Sequence, residues 1–222
     1  MYQFFIEDEN AAEDFVTIEG SDVNHIKNVL RMRPGEKIRV CTRSGQNYFC
    51  SISDITESFV RADILEKEAE STELPCRIYL FQGLPKNDKM EWIIQKTVEL
   101  GVYEVIPVAM KNCVVKLDDK KAKSKVMRWQ AIAESAAKQS KRSLIPEVKM
   151  PMSYKEAVAY AKELDVKLVP YENEHGMAGT KAAMEQIEKG ESIAVFIGPE
   201  GGFAPEEIAL VQDEMQLISL GK

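Results

Sequence analysis

The sequence predicts an α/β protein in two parts, a small N-terminal β-barrel over residues 1–70 and an α/β domain over 74–222 built on a mostly parallel sheet. Three observations carry this. The first part is rich in β-branched and aromatic residues broken by Ser-Gly and Asp/Thr turn signals. From Cys76 onward, strand-like and helix-like runs alternate to the end. A chain of 222 residues is also long enough for a substantial core, and it shows no internal repeat.

In the first part, QFFIED reads as a strand and KIRVCTRSGQNYFCSISDITESFVRADILEK as a set of further strands. Between them SDVNHIKNVLRM reads as a helix, because Val23, Ile26, Val29 and Leu30 recur at helical spacing, and Pro34-Gly35 ends it. The acidic stretch LEKEAESTELP, 65–75, reads as an exit linker.

The second part opens with strand CRIYLFQGL, helix DKMEWIIQKTVEL and strand VYEVIPVAM. After a basic loop come helix VMRWQAIAESAAKQS, strand LIPEVKM, helix SYKEAVAYAKEL and strand VKLVPYE. Helix AGTKAAMEQIEKG, strand SIAVFIG, helix PEEIALVQDE and strand QLISLG complete the series. Asp88-x-x-Glu91 and Ser153-x-x-Glu156 fit capping boxes, and Gly101 and Gly190 fit helix stops. Such alternation implies helices on both faces of the sheet, with 192–198 and 216–221 as neighbouring buried strands.

Composition excludes several classes. The N-terminus MYQFFIEDEN carries acids where a signal peptide needs basic residues, and no apolar run approaches a membrane span. Cys41, Cys50, Cys76 and Cys113 lie far apart, and only His25 and His175 could assist them, so no metal site is expected. A soluble, cytoplasmic protein is expected. The net charge is −7, yet residues 111–142 hold ten Lys/Arg against three acids, which leaves −14 for the rest. A basic patch on an acidic body suits a polyanion such as RNA; a solvated helix face suits the same counts.

In a parallel sheet, ligands settle beyond the carboxyl ends of the strands. Three loops qualify: PYENEHG after VKLV, GPEGGF after AVFI, and LGK after LIS. A phosphate loop would use backbone N–H groups without a carboxylate, and Glu200 contradicts that design. Neither GxxxxGK[ST] nor GxGxxG is present. An acid inside a turn that admits another molecule to the backbone suits a ligand rich in hydroxyl and ammonium donors, such as S-adenosylmethionine. The same residues also suit a tight turn beside a solvated Glu200.

The ordered set HIKNVLRMRPGEKI (25–38), KNDKMEWIIQKTVELGV (86–102), KLDDKKAKSKVMRWQAIAESAAKQSKR (116–142), FIGPEGGF (196–203) and ISLGK (218–222) resembles the RsmE family of SPOUT-class RNA methyltransferases. The resemblance covers nearly the whole chain. It implies a PUA-like barrel, an α/β SPOUT domain with a trefoil knot, a homodimer, and methylation of N3 of one uridine in small-subunit (16S) ribosomal RNA. It also implies S-adenosylmethionine at Val169, Pro170, Tyr171 and Glu172, at Ile197, Gly198, Pro199, Glu200, Gly201 and Gly202, and at Leu220 and Gly221.

For RNA the resemblance points to Lys86, Lys89, Lys96, Lys138, Gln139 and Arg142, with Arg31 and Arg33 on the barrel. No residue is assigned as general base; Glu200 is a candidate, although holding the cofactor or the turn suits it better. Trp92 and Trp129 lie at apolar helical positions beside Ile93 and Ile132, which favours core packing over base stacking. This sequence departs from the family pattern at Gln3, where an Arg precedes the aromatic. It also stops at Lys222, where the pattern continues through RILRxETA into a final helix expected to complete the knot, the cofactor loop and the dimer contact. Two rivals remain open on the residues alone, a SPOUT enzyme acting on another RNA and a non-catalytic RNA-binding assembly factor.

Overall fold

A computed structural model describes residues 1–68 and 72–221. They form two compact units, Met1–Glu73 with Glu134–Ile145, and Leu74–Ala133 with Pro146–Lys222. Of the expected linker 65–75, residues 69–71 lie outside the described residues, as does Lys222.

The first unit is a five-stranded sheet of β1 (Tyr2–Ile6), β2 (Phe15–Glu19), β3 (Lys37–Thr42), β4 (Asn47–Ile55) and β5 (Phe59–Glu68), in the order β1-β3-β4-β5-β2. β1 pairs in parallel with β3, and the other ladders are antiparallel. The register shift at Phe49/Cys50 leaves Leu65 of β5 as an extra residue and that at Ile52/Asp54 leaves Ser53 of β4, and such bulges bend the strands that carry them. Alternate residues Phe4, Ile6, Val16, Ile18, Ile38, Val40, Cys50 and Ile52 are thereby brought into one buried cluster.

The helix expected over 21–32 is shorter and changes pitch. α1 (Ser21–Asn24) passes into a π turn over His25–Val29, in which the Leu30 N–H bonds to the His25 carbonyl at 2.8 Å. The wider turn rotates Val29 off the apolar face, leaving it 61% exposed while Val23 and Ile26 are buried.

The second unit carries strands β6 (Arg77–Gly83), β7 (Glu104–Ala109), β8 (Glu147–Val148), β9 (Met152–Ser153), β10 (Val166–Pro170), β11 (Ser192–Ile197) and β12 (Gln216–Ile218). Its helices are α2 (Lys89–Glu99), α3 (Asp119–Ser140), α4 (Tyr154–Ala161), α5 (Ala178–Glu185) and α6 (Pro205–Val211). Residues 134–140 of α3 group with the first unit. Every ladder is parallel, in the order β12-β10-β11-β6-β7-β8, with β9 also on β7. Phe81 and Phe196, on adjacent strands, stack with centroids 4.4 Å apart in the core.

Several expectations need correction. The strands at 192–198 and 216–221 are not neighbours: β10 lies between them, with Leu168 and Val169 almost fully buried. β12 pairs outside β10, and the Tyr171 N–H continues that ladder to the Ile218 carbonyl at 3.0 Å. α3 begins at Asp119, seven residues before the expected start at Val126, because the Asp118 carboxylate accepts the Lys121 N–H at 2.8 Å and caps it. Two turns of the expected basic loop are therefore helix. The Ser153–Glu156 capping box forms, but that at Asp88 does not. Asp88 lacks the extended backbone of an N-cap, with φ −91° and ψ 13°, and Glu91 accepts from Arg128 at 2.8 Å instead.

The strand expected over LIPEVKM shrinks to Glu147–Val148, since Pro146 has no N–H to donate. Gly101 ends α2 with φ +104°. Gly190 has φ +97° but serves a later turn, donating to the Pro75 carbonyl at 2.7 Å, because α5 already stops at Glu185.

Candidate functional site

Because β12, β10, β11, β6 and β7 run parallel, their carboxyl ends open on one edge of the sheet. The registers pair Pro170 with Ile218, Ile197 with Gln82, and Gly83 with Val108. The loops starting at Tyr171, Gly198, Ser219, Leu84 and Met110 thus emerge side by side. All three loops singled out in the sequence are among them.

The glycine-rich turn is held from several directions. The Gly202 N–H donates to the Pro199 carbonyl at 2.9 Å, and Gly202 has φ +65°, a conformation that favours glycine. A Cβ on Gly198 would lie 3.2 Å from the Gly202 carbonyl carbon, so the turn folds tightly onto itself. Pro199 sits on Gly83 of β6, where a Cβ would lie 2.7 Å from the proline ring. The Asn112 amide, in the loop after β7, donates to the carbonyls of Gly201 at 2.9 Å and Gly202 at 3.2 Å.

Glu207 completes this support. Almost fully buried, its carboxylate accepts the N–H groups of Lys111 and Ala204, each at 2.8 Å, and so ties the β7 loop to the start of α6. Lys111 also pairs with Glu206. Sequence reasoning missed Asn112 and Glu207. The only available signal was Glu207 three residues after Ala204, at the position where a carboxylate reaches back to a helix start.

The other two loops close toward the turn. The Glu172 carboxylate lies 3.5 Å from where a Gly202 Cβ would stand. Asn173 donates to the Tyr171 hydroxyl at 2.7 Å, and the Glu174 N–H to the Tyr171 carbonyl at 3.1 Å. Thr180 of α5, also missed, exchanges bonds with Ser219 in both directions at 2.7 and 3.1 Å. Ser219 in turn accepts the Gly221 N–H at 3.2 Å, with Gly221 at φ +91° and Leu220 largely exposed. Val169 is buried and Pro170 half-buried at the end of β10. The residues expected to hold a cofactor are therefore gathered at one edge of one unit.

Glu200 does not suit the role of general base. Its carboxyl is held below the usual carboxylate range by its own backbone N–H, by the Lys86 N–H at 3.3 Å and by the Lys89 ammonium at 3.6 Å. A carboxylate so stabilised as an anion is a weaker proton acceptor than a free one.

The expected RNA residues divide. Lys86 and Lys89 are exposed beside Glu200, and Lys96 pairs with Glu99 at 2.8 Å near the other end of α2. In the first unit Arg31, Arg33 and Gln139 are exposed, Arg31 with φ +54°. Lys138 is paired with Asp22 at 3.0 Å and Glu134 at 2.9 Å, and these partners keep its ammonium protonated despite burial. Arg142 is corrected from surface contact to internal strut. It is 4% exposed, and its guanidinium forks onto Glu73, with Nε at 3.0 and 2.8 Å from the two oxygens. Trp92 is likewise corrected: it is 60% exposed on α2, whereas Trp129 is buried. Among the described residues no group of three His, Cys, Asp or Glu could hold a metal ion.

Residues 72–222 match the RNA methyltransferase domain family and residues 18–65 the RNA methyltransferase PUA domain family. A relative from Bacillus subtilis (strain 168), ribosomal RNA small subunit methyltransferase E, is 37% identical, covering 96% of this chain and 86% of its own. The protein of that name from Mesomycoplasma hyopneumoniae (strain 232) is 33% identical, covering 100% of this chain and 92% of its own. A crystal structure of ribosomal RNA small subunit methyltransferase E from Neisseria gonorrhoeae, bound to S-adenosyl methionine, superposes with a TM-score of 0.84 at 31% identity, covering 100% of this chain and 90% of that one. With a family match over most of the chain and relatives of this identity along nearly its whole length, the chain belongs to the ribosomal RNA small subunit methyltransferase E family of RNA methyltransferases.

Proposed function

We propose that the protein methylates N3 of a uridine in small-subunit ribosomal RNA, with S-adenosylmethionine as methyl donor. The observation that carries this reading is the meeting of the three carboxyl-end loops around a glycine-rich turn, with the Glu172 carboxylate 3.5 Å from where a Gly202 Cβ would stand. The donor set fits that molecule. Gly201 and Gly202 leave the backbone open to an adenosyl group, and the carboxylate of Glu172 is an acceptor for an ammonium or a ribose hydroxyl.

The donor supplies a sulfonium methyl with its leaving group attached, so the reaction needs alignment more than activation. Glu207 and Asn112 hold the turn rigid, and the Thr180–Ser219 pair holds the loop after β12. With the donor bound, transfer to uridine N3 would form the N–methyl bond as the sulfonium–methyl bond breaks, leaving a neutral thioether and releasing the N3 proton to solvent. Lys86, Lys89, Arg31, Arg33 and Gln139 are the residues we assign to RNA contact. The trefoil knot, the homodimer and the cytoplasmic setting belong to the same reading, whose support is family membership. Among the described residues no helix is long and apolar enough to cross a membrane.

The test is mass mapping of small-subunit ribosomal RNA after incubation with the full chain and S-adenosylmethionine. A single N3-methyluridine is expected. Methylation at another atom or on transfer RNA would point to the other SPOUT reading, and failure to bind the donor in calorimetry would point to an assembly factor.

A further inference from the structure

A cavity of about 540 Å³ lies at the carboxyl edge of the sheet, beside the ends of β7 and β9. Met110, Cys113, Met150 and Met152 give it a wall rich in sulfur, to which Leu84 and Leu117 add. Burial pushes the Cys113 thiol above its ordinary range, so this wall stays uncharged. Of the polar groups in the lining, Lys111 is taken up by Glu206, and the Ser153 hydroxyl donates to Glu156 at 2.6 Å. Lys116 and Asp119 remain, both exposed and neither in an ion pair among the described residues.

These features narrow the ligand. A mostly apolar cavity of this size with a few polar groups suits a small organic ring system. Methionine sulfurs make favourable contacts with aromatic rings and adapt to their outline. The Asp119 carboxylate disfavours an anion inside and accepts N–H groups. At the rim Lys116, and the exposed Lys123 one helical turn on from Asp119, can neutralise phosphates. A flat, neutral ring that bears an amino group and is tied to an anionic strand meets all of these demands. RNA offers such a ring where single-stranded bases are splayed out of the stack.

Resting on the RNA methyltransferase reading, we infer that this cavity takes an unstacked, amino-bearing base of the substrate RNA, its ring among the methionine sulfurs and its amino group donating to Asp119. The base is not the methylated uridine, which carries no amino group, but one that flanks it. The cavity wall Met110–Cys113 is the loop whose Lys111 N–H and Asn112 amide brace the glycine-rich turn. β7 lies two strand spacings, about 10 Å, from β11, which leads into that turn. A base held here fixes the strand beside the donor loops.

The test uses the full chain with ¹³C-methyl-labelled methionine, in which the Met150 and Met152 signals are assigned with Met150→Leu and Met152→Leu. The probes are single-stranded heptacytidylate, heptauridylate and an abasic strand of the same length. Both signals should shift with heptacytidylate and stay still with the abasic strand. Ala109→Phe, which fills the cavity from an exposed position at the end of β7, should weaken cytidylate binding about tenfold and leave abasic binding and donor affinity unchanged. Asp119→Ala should lower the preference for cytidylate over uridylate about threefold, since the two bases differ in the amino group. Methionine signals that move equally with the abasic strand overturn the inference, as does an unchanged cytidylate affinity in Ala109→Phe or an unchanged preference in Asp119→Ala. Donor calorimetry and mass mapping decide the proposed function separately.

Discussion

Gly83 and Gly201 bracket the glycine-rich turn and should fail in different ways. At Gly83 an added methyl meets the Pro199 ring and nitrogen at 2.7 Å, neither of which can swing aside. Gly83→Ala should therefore destabilise the protein by about 1–3 kcal/mol, read as a lower urea midpoint with unchanged slope. Gly201 is exposed, and its nearest neighbour is the Asn112 side chain at 3.1 Å. Gly201→Val should press on Asn112 and disturb the bonds that hold the turn, so that donor affinity falls at least about tenfold. Unchanged affinity in calorimetry would remove the turn from the site.

Asp165 adds a pH dependence. Its carboxyl is held below the usual range by the Ser192 hydroxyl and N–H, at 2.6 and 2.8 Å. The stability this contributes is present above about pH 4 and is lost as pH falls through the depressed value, because the unfolded chain takes up the proton first. Asp165→Asn should lower stability at neutral pH and flatten the acid limb of a urea-midpoint curve.

Among the elements, α3 depends on its cap. Asp118→Ala removes the carboxylate that accepts the Lys121 N–H in the first turn, and should fray the lysine-rich start of the helix. Amide exchange over 119–123 should speed up while that of the β6–β7 ladder stays the same. The Asp88–Glu91 motif illustrates why a capping pattern in a sequence is necessary and not sufficient. The same spacing forms a reciprocal box at Ser153 and none at Asp88, where Asn87 in the left-handed region turns the backbone away. Backbone entry angle decides between them, and neighbouring loops set that angle.

For the molecule as a whole, charge placement matters more than net charge. Lys86, Lys89 and Arg33 are exposed, and replacing all three by Ala should reduce the slope of log affinity against log salt for single-stranded RNA by about 2, at roughly 0.7 per phosphate contact. An unchanged slope would mark them as a solvated face. Arg142→Ala should behave otherwise. Removing one partner of its ion pair with Glu73 should cost about 3–5 kcal/mol, and any loss of RNA binding would follow loss of the fold.

Periodicity and punctuation determined the kinds of element, the division between β-rich and alternating parts, and the three loops at strand ends. Each depends on neighbours along the chain: the alternating burial of β4, the run VKLV, the glycines around Glu200. Family motifs supplied the chemistry those loops serve. Tertiary structure alone decided that β10 separates β11 from β12, because strand order is set by which apolar faces meet and not by sequence order. It decided that Asn112 holds Gly201 from 89 residues away and that Glu207 holds Lys111 across 96 residues. It also turned Arg142, past the end of α3, inward onto Glu73, and left Trp92 outside, since a helical period cannot tell which side of α2 another element will cover.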